Sequence, residues 1–313
     1  NEHLKLAHED VMLESATTSF QIHIQLPFDI AHHFYNASIM ASAPIVALCA
    51  NSPYLFGKDL WHESRIPLFE QAIETGGFSG AAQGPLKRVS FGTDYARKSI
   101  IECFNENLEH FPILLPENLN SSPEAFEHLR LHNGTIWRWN RPLIGFDEDG
   151  TPHIRVEHRT PAAGPTTIDS IANAAFYYGV SKNLCDEIME KGLSLPFSQA
   201  KDNFYQAARH GLDSHIIWLD GKTYRLHSLI KNELMPRAIL GLQSLGINHC
   251  DTDDFLDVIM QRLNNKQNGC HWQRQFMLSQ AQPIQTDNNF KLMTQVYLKK
   301  QQSGNPVSEW SSY

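Results

Sequence analysis

The sequence is poor in the features that mark several common classes of protein. Only 19% of its 313 residues carry a formal charge, the net charge is −8, and lysine and arginine are scattered without a basic run. A chain of this kind offers no surface for a polyanion, so we expect no nucleic acid partner. The longest apolar run, residues 39–50, is too short to span a bilayer. We interpret it as a buried helix and expect no association with a membrane.

Paired cysteines and several catalytic motifs are also missing. The five cysteines are widely spaced and form no CxxC pair, which predicts reduced thiols and a cytoplasmic location. The motifs GxSxG, HExxH, GxGxxG and GxxxxGK[ST] do not occur. Nothing therefore supports a serine hydrolase, a zinc protease or a glycine loop that binds phosphate. The glycine-rich segment 76–84 is interpreted as a surface loop.

What the sequence does contain is an alternating strand with an unusual polar face. In "SFQIHIQL" (residues 19–26) four apolar side chains alternate with Ser19, Gln21, His23 and Gln25. A half-buried strand usually presents charged residues to water, whereas this strand presents two amides, a hydroxyl and an imidazole. These groups bind metals and form hydrogen bonds, so this face is a candidate for a functional site.

A second polar face is predicted in a hairpin over residues 141–159, whose turn is "DEDG". On its second strand Arg155, Glu157 and Arg159 lie on one face. A carboxylate is a ligand for Mg²⁺ and a guanidinium binds phosphate with two parallel hydrogen bonds, so a metal–triphosphate site is one interpretation. An exposed ladder of salt bridges with a structural histidine is the other, and the two strands alone favour it.

The segment "TIWRWNRP" (135–142) shifts this balance towards a site. Three arginines lie within twelve residues, at positions 130, 138 and 141, and they need anionic partners. Trp137 and Trp139 are either core residues or the wall of a pocket, and the sequence leaves both alternatives open.

The order of the predicted elements indicates an α+β fold. Helical spacing occurs over residues 29–50 and 93–109, and again in several segments from residue 166 onwards. Strands with crossing helices therefore come first and a C-terminal helical run follows. We assign residues 1–280 to one domain and 281–313 to a polar tail that ends in disorder.

Five segments, in order, resemble the glutamate–cysteine ligases of the GCS2 type, which belong to the carboxylate–amine ligases built on the glutamine synthetase fold. The segments are "TTSFQIHIQL", "APIVALCANSPYLFGKDLWHESR", "HNGTIWRWNRP", "VEHR" and "IANAAFYYGV", which lie within about residues 10–245. The most specific part is Thr135 followed by Arg141, a hairpin and Glu157-x-Arg159. The resemblance implies a curved antiparallel sheet of the glutamine synthetase type. Its concave face would carry the site, and helices mostly from residues 166–263 would lie behind it.

The resemblance also implies a reaction. ATP would phosphorylate the side-chain carboxylate of glutamate, and the amine of an amino acid would displace the phosphate, with Mg²⁺ and arginines neutralising the oxygens. Cysteine is the first candidate for the acceptor, which would make the product γ-glutamylcysteine, as in glutathione biosynthesis. The alternative is a non-catalytic relative that binds nucleotide or amino acid in a regulatory or scaffolding role.

By the same resemblance, the expected site residues fall into three groups. His23 and Glu157 are the expected metal ligands. Arg159, through contact with phosphate, and Arg141 are the expected catalytic residues. The residues expected to bind substrate or nucleotide are Gln21, Asn51, Arg65, Thr135 and Arg138. We expect Gln21, His23, Glu157 and Arg159 to point into one cleft, with Arg65 and Arg141 at its rim.

One departure from the family concerns its metal-binding carboxylates. The family carries further ones in an E-x-E strand ahead of the matched region, and no E-x-E occurs in these residues. Because the chain also begins without methionine, we expect that N-terminal strands are missing. Residues 1–313 alone should then lack Mg²⁺–ATP binding and ligase activity. The sheet should show an unpaired edge or groove that invites a second chain, so a homodimer is one expected assembly.

Overall fold

Helices form most of the computed structural model, which describes residues 3–73, 87–280 and 287–311. The helices are α1 (Met12–Ser15), α2 (Ala31–Cys49), α3 (Arg65–Ala72), α4 (Ile101–His110), α5 (Glu127–Gly134), α6 (Thr167–Lys191), α7 (Phe197–His210), α8 (Leu226–Leu229), α9 (Met235–Ser244), α10 (His249–Asn265), α11 (Gly269–Ser279) and α12 (Asp287–Gln302), with a π-helical turn, Ile230–Leu234, joining α8 to α9. The strands are β1 (Ile22–Leu26), β2 (Tyr54–Leu55), β3 (Lys58–Asp59), β4 (Val89–Ser90), β5 (Trp137–Arg138), β6 (Asn140–Phe146), β7 (Pro152–His158), β8 (His215–Ile217) and β9 (Thr223–Arg225).

The two predicted polar-faced strands lie side by side in one antiparallel sheet. Its strand order is β1-β7-β6, and β6 and β7 form the predicted hairpin. Because β1 also pairs antiparallel with β7, the prediction of an α+β protein with an antiparallel sheet is confirmed. The resemblance of this sheet to that of glutamine synthetase stays a prediction, as does the division into a domain of residues 1–280 and a tail.

The apolar face of the sheet packs on helices, of which α2 is the most deeply buried. Every residue of α2 except His33 is buried, so the predicted buried helix is confirmed. The expectation that residues 166–263 supply most of the backing is incomplete, because α2 packs against β6 and β7. Helix α6 contacts the sheet through Tyr177 and Tyr178. Among the helices in the described ranges, none is both long and apolar enough to cross a membrane.

A polar network lies under the sheet, on the face opposite the predicted site. The fully buried His158 stacks on Tyr177 of α6, with ring centroids 4.1 Å apart. Its Nδ1 lies 2.6 Å from the side-chain oxygen of Asn140, and its Nε2 lies 2.7 Å from the hydroxyl of Thr160. Because Asn140 also donates to Ser42 at 2.9 Å, its oxygen accepts from His158. Burial lowers the pKa of His158 to about 3, so its imidazole is neutral.

The predicted start of one helix differs from the structure. The helix predicted over residues 93–109 begins only at Ile101. The carboxylate of Glu102 accepts hydrogen bonds from the backbone N–H groups of Arg97, Lys98 and Ser99, and these bonds hold the preceding residues in turns. The glycine-rich segment 76–84 lies outside the described residues.

The predicted disorder after residue 280 is wrong for residues 287–311. Residues 287–302 form α12, and the chain then returns to place Trp310 in a small aromatic cluster. The rings of Trp310 and Tyr297 each lie within 6 Å of Trp272 on α11. The prediction followed the polar composition of the segment and gave no weight to its few aromatic residues, whose ring contacts hold the segment on the protein.

The close approach of α6 and α9 depends on two glycines. A Cβ at Gly179 would overlap the carbonyl of Ala238, and one at Gly241 would overlap the carbonyl of Gly179. The two helix backbones therefore touch where no side chain separates them. Such a contact tolerates no added methyl group unless one helix moves.

We predict that Gly179→Ala lowers the stability of the protein by about 1–3 kcal/mol, because overpacking against a helix backbone forces a shift. Gly134→Ala is the matched control, since Gly134 is exposed and nothing lies within 4 Å of its added Cβ. Urea unfolding of both variants measures the difference. Equal midpoints for the two variants would contradict the assigned packing of α6 on α9.

We also predict that the protein becomes less stable as the pH is lowered, because unfolding allows His158 to bind a proton. Its folded pKa of about 3 lies below the unfolded value of about 6.5, so the unfolded chain binds more protons between these values. The stabilisation is complete above about pH 6.5 and falls as the pH drops towards 3, by about 2 kcal/mol between pH 7 and pH 5. Urea unfolding of wild type and His158→Gln at both pH values should show a smaller acid loss in the variant. An NMR titration in which the imidazole of the folded wild type gains a proton above pH 5 would contradict the assignment.

Candidate active site

Three of the predicted residues form a row across the polar face of the sheet. His23 on β1 lies opposite Glu157 on β7, and Glu157 lies opposite Arg141 on β6. Side chains of directly opposed residues lie on the same face of a sheet. Nε2 of His23 is 3.4 Å from Oε1 of Glu157, and Nε of Arg141 donates to Oε2 of Glu157 at 2.7 Å.

Glu157 is the centre of this row, and it is buried. Its Oε2 also accepts a hydrogen bond from Nη1 of Arg159 at 3.1 Å. The partners of Gln21 fix the orientation of its amide: its nitrogen donates to Oε1 of Glu157 at 2.8 Å and its oxygen accepts from Arg159 at 3.1 Å. The structure therefore brings together the four residues expected in one cleft, although their roles in binding and catalysis stay predictions.

Burial and neighbouring charges together set the protonation states of Glu157 and His23. Burial raises the pKa of Glu157, but Arg141 and Arg159 outweigh burial and hold that pKa below its usual value. Glu157 is therefore an anion at neutral pH. Burial lowers the pKa of His23, Glu157 opposes this in part, and the neighbouring arginines lower the pKa further. His23 is therefore neutral at pH 7, the form in which an imidazole can ligate a metal.

A polar cavity of about 250 Å³ opens beside this row. Arg65 and Arg159 bound it together with the rings of Phe69 and Trp139, and hydroxyl residues between positions 15 and 19 close another side. We call this space the arginine cavity. Gln21, Arg65 and Arg159 all line it, so one cavity brings together three of the expected site residues from distant parts of the chain.

The two guanidinium groups of the arginine cavity are held in different ways. Nε of Arg65 donates to Glu63 at 2.8 Å and Nη2 donates to the carbonyl of Thr160 at 2.6 Å. Nε of Arg159 is buried and has no hydrogen-bond partner among the described residues. Guanidinium groups bind carboxylate and phosphate oxygens with parallel hydrogen bonds, and two such groups bound this cavity. The cavity therefore fits a carboxylate or phosphate group.

The same residues do not fit Mg²⁺ on their own. Mg²⁺ requires octahedral coordination, largely by oxygen, and here one carboxylate stands beside one imidazole. Both carboxylate oxygens of Glu157 already contact neighbouring side chains. Within the described ranges, no group of three or more histidine, cysteine, aspartate or glutamate residues could hold a metal ion. His23 and Glu157 could supply part of a metal site, and further ligands would have to complete it.

Thr135 and Arg138 do not bound the arginine cavity. Arg138 donates to Asn107 at 2.6 Å and pairs with Glu106 at 3.1 Å, both on α4. Successive residues of an extended chain point to opposite sides, and here Trp139 bounds the cavity while Arg138 is bound to α4. The hydroxyl of Thr135 donates to the carbonyl of His132 at 2.8 Å.

Asn51 connects the cavity to the C-terminal helices. Its backbone N–H donates to Glu63 at 2.7 Å, and Glu63 in turn holds Arg65. Its side chain donates to the hydroxyl of Tyr297 on α12 at 2.8 Å and accepts from Gln273 on α11 at 2.9 Å. The amide of Asn51 therefore already has protein partners, which indicates a supporting position behind Arg65.

Sequence reasoning did not identify Glu63 or Phe69 and left Trp139 open. Glu63 and Arg65 are two residues apart, the spacing that marked Glu157 and Arg159, so a charge pair could have been recognised there. Nothing local distinguishes Phe69 from a core residue. Only the tertiary structure places its ring beside Arg159, whose guanidinium carbon lies 5.9 Å from the ring centroid.

The edge of the sheet beside His23 is open, as expected. Among the described strands β1 pairs only with β7, and the hydroxyl of Tyr178 donates to the backbone carbonyl of His23 at 2.8 Å. A groove of about 400 Å³ lies next to this edge, and Phe20, Ile171 and Phe255 are among the residues that line it. The homodimer that such an edge would permit stays a prediction.

Comparison with models of known protein families finds a match to this chain. The family model of glutamate–cysteine ligase family 2 (GCS2) matches residues 4–277, whereas no curated protein matches the chain. The matched range includes the row of His23, Glu157 and Arg141, the residues of the arginine cavity, and Asn51. It covers nearly the whole chain and confirms the resemblance seen in the five segments. The chain belongs to glutamate–cysteine ligase family 2.

Proposed function

We propose that this protein supplies the active site of an ATP-dependent ligase that joins the side-chain carboxylate of glutamate to an amino group. One observation carries the proposal: a buried, ionised Glu157 holds two arginines beside a cavity that fits an anionic oxygen. Family membership supports the reaction class. We propose cysteine as the acceptor and γ-glutamylcysteine as the product, in the cytoplasm.

The residues of the site would act mainly through charge. ATP, when bound, supplies the phosphoryl group that activates the glutamate carboxylate. Arg159 and Arg65 would bind oxygens of the substrates and neutralise charge on them, while Glu157 keeps Arg159 and Arg141 in fixed orientations. These groups are preorganised because Glu157 and Arg159 are both buried, so they need little rearrangement when the substrates bind.

We propose that the reaction uses Mg²⁺, for which the described residues offer only two ligands. His23 and Glu157 would hold the ion together with oxygen ligands that the described residues do not supply. A second candidate function follows from that shortage, namely a relative without catalysis that binds nucleotide or amino acid and regulates or scaffolds a partner. The discriminating quantity is turnover, because both candidates would bind an anionic ligand in the arginine cavity.

The first prediction from the proposed function concerns the reaction. The protein encoded by the complete gene should release phosphate from ATP in the presence of Mg²⁺ and glutamate, and cysteine should stimulate this release. A coupled phosphate assay over a panel of amino acid acceptors measures it, with glutamate omitted as the control. Stimulation by a different amine would change the proposed acceptor. Absence of turnover across the panel, with glutamate or ATP still bound in calorimetry, would favour the non-catalytic relative.

The second prediction concerns Arg159. Arg159→Lys should lower kcat/KM by about ten- to a hundredfold. Nη1 of Arg159 alone contacts both Glu157 and Gln21, and lysine has no second terminal nitrogen to bind a substrate oxygen while it keeps these contacts. Arg237→Lys is the control. Arg237 is partly buried, its Nη1 lies 2.5 Å from Oε2 of Glu187, and neither residue bounds the cavity. Steady-state kinetics of both variants, with thermal unfolding to confirm folding, measures the effect. Similar kcat/KM values for the two variants would refute a role of Arg159 in the reaction.

A further inference from the structure

Glu70, on α3, holds the indole ring that forms one wall of the arginine cavity. Nε1 of Trp139 donates to Oε1 of Glu70 at 2.8 Å, and the hydroxyl of Tyr205 on α7 donates to the same oxygen at 2.7 Å. Glu70 is not among the residues that bound the cavity. Its contact with a cavity wall therefore runs through Trp139, and Tyr205 anchors it to a helix outside the site.

The ring of Trp139 in turn lies against a guanidinium of the cavity. The guanidinium carbon of Arg65 is 5.3 Å from the ring centroid, a distance at which a cation is attracted to the face of an aromatic ring. Trp139 also contacts Phe69 edge to face, with centroids 5.8 Å apart. One short helix, α3, thus carries Arg65, Phe69 and Glu70, so the cation, the neighbouring ring and the carboxylate that fixes the indole keep a constant spacing.

The hydrogen bond to Glu70 fixes how the indole is turned. Trp139 is only 1% exposed, and a buried indole N–H needs an acceptor. Without the carboxylate, the N–H would be left unsatisfied or the ring would rotate towards another partner. Rotation would change the face that the ring presents to Arg65. Glu63 and Thr160 hold the edge of this guanidinium through Nε and Nη2, whereas the ring of Trp139 supports its face.

We propose that Glu70 is a positioning residue of the site, which fixes the ring of Trp139 and through it the guanidinium of Arg65 that binds an oxygen of the anionic substrate. This role rests on the proposed ligase function for its kinetic consequence. The positioning of Arg65 itself does not depend on turnover. Tyr205 has the weaker part, because it steadies Glu70 and contacts neither Trp139 nor Arg65 by a hydrogen bond.

A second indole–carboxylate pair in the protein provides a matched control. Nε1 of Trp218 donates to Oε1 of Glu233 at 2.9 Å, and Trp218 is 2% exposed. This pair lies outside the residues that bound the arginine cavity. Glu233→Leu therefore removes the same kind of bond as Glu70→Leu, together with the ion pair between Glu233 and Arg237 at 3.3 Å. It reports the loss of stability that the removal of such a carboxylate causes away from the cavity.

The experiment compares Glu70→Leu, Glu70→Gln and Glu233→Leu in the protein encoded by the complete gene. Glu70→Leu should raise the KM for glutamate about tenfold while kcat changes less than threefold, because substrate binding depends on the orientation of Arg65. Glu70→Gln keeps an oxygen that accepts both hydrogen bonds and should restore KM to within about twofold of wild type. Glu233→Leu should lower the unfolding midpoint and leave KM within about twofold of wild type.

A measurement without turnover separates this proposal from the ligase function. The NMR signal of the Arg65 Nε–H group, assigned with Arg65→Lys, should shift in Glu70→Leu and stay unchanged in Glu233→Leu. An unchanged Arg65 signal in Glu70→Leu would overturn the proposal, and so would equal KM values for Glu70→Leu and Glu233→Leu. If wild type shows no turnover at all, the ligase function fails, and the Arg65 signal still decides whether Glu70 positions that residue.

Discussion

A buried carboxylate needs cations around it, and this requirement of Glu157 organises the site. Burying an isolated anion costs far more than a domain can tolerate, and here Arg141 and Arg159 provide the compensation. Because two guanidinium groups face one carboxylate, the positive charge exceeds the negative charge. Arg159 also bounds the cavity, where Arg65 is paired with Glu63 and Glu14 is another of the lining residues. The charge that stabilises the folded strand is therefore the charge that attracts an anionic substrate.

The rest of the fold keeps these charges in register. The pairing of β1 with β7 and of β7 with β6 sets His23, Glu157 and Arg141 in one row, and a slip of one residue would turn all three away. Behind the sheet, His158 and its partners form a neutral polar network that joins the strands to α2 and α6. The anionic and cationic groups thus lie on one face and the neutral groups on the other.

The sequence predicted this part of the protein well because its signals are local. Period-two alternation identified β1 and β7, and a turn motif placed the hairpin that β7 forms with β6. Composition does not show which side of an extended segment faces the cavity. For this reason Arg138 was expected at the site, and the sequence did not decide whether Trp139 is a core residue or a wall of a pocket. The link between Trp139 and Glu70 joins residues 69 positions apart, and no sequence pattern marks such a contact. For residues 287–311 the overall composition was misleading. These residues are mostly polar, yet Tyr297 and Trp310 pack against Trp272 and hold the segment in place.

The hydrogen bonds of Asn51 have a consequence for the whole C-terminal region. They form a continuous chain from Tyr297 on α12 through Asn51 and Glu63 to Arg65 in the cavity. Coupling between two sites is reciprocal: if the docking of α12 stabilises the observed orientation of Arg65, a ligand that prefers this orientation stabilises the docking of α12 by the same coupling free energy. Release of α12 would loosen Arg65 in return. Helix α12 is in this sense thermodynamically linked to the substrate, although it lies outside the cavity.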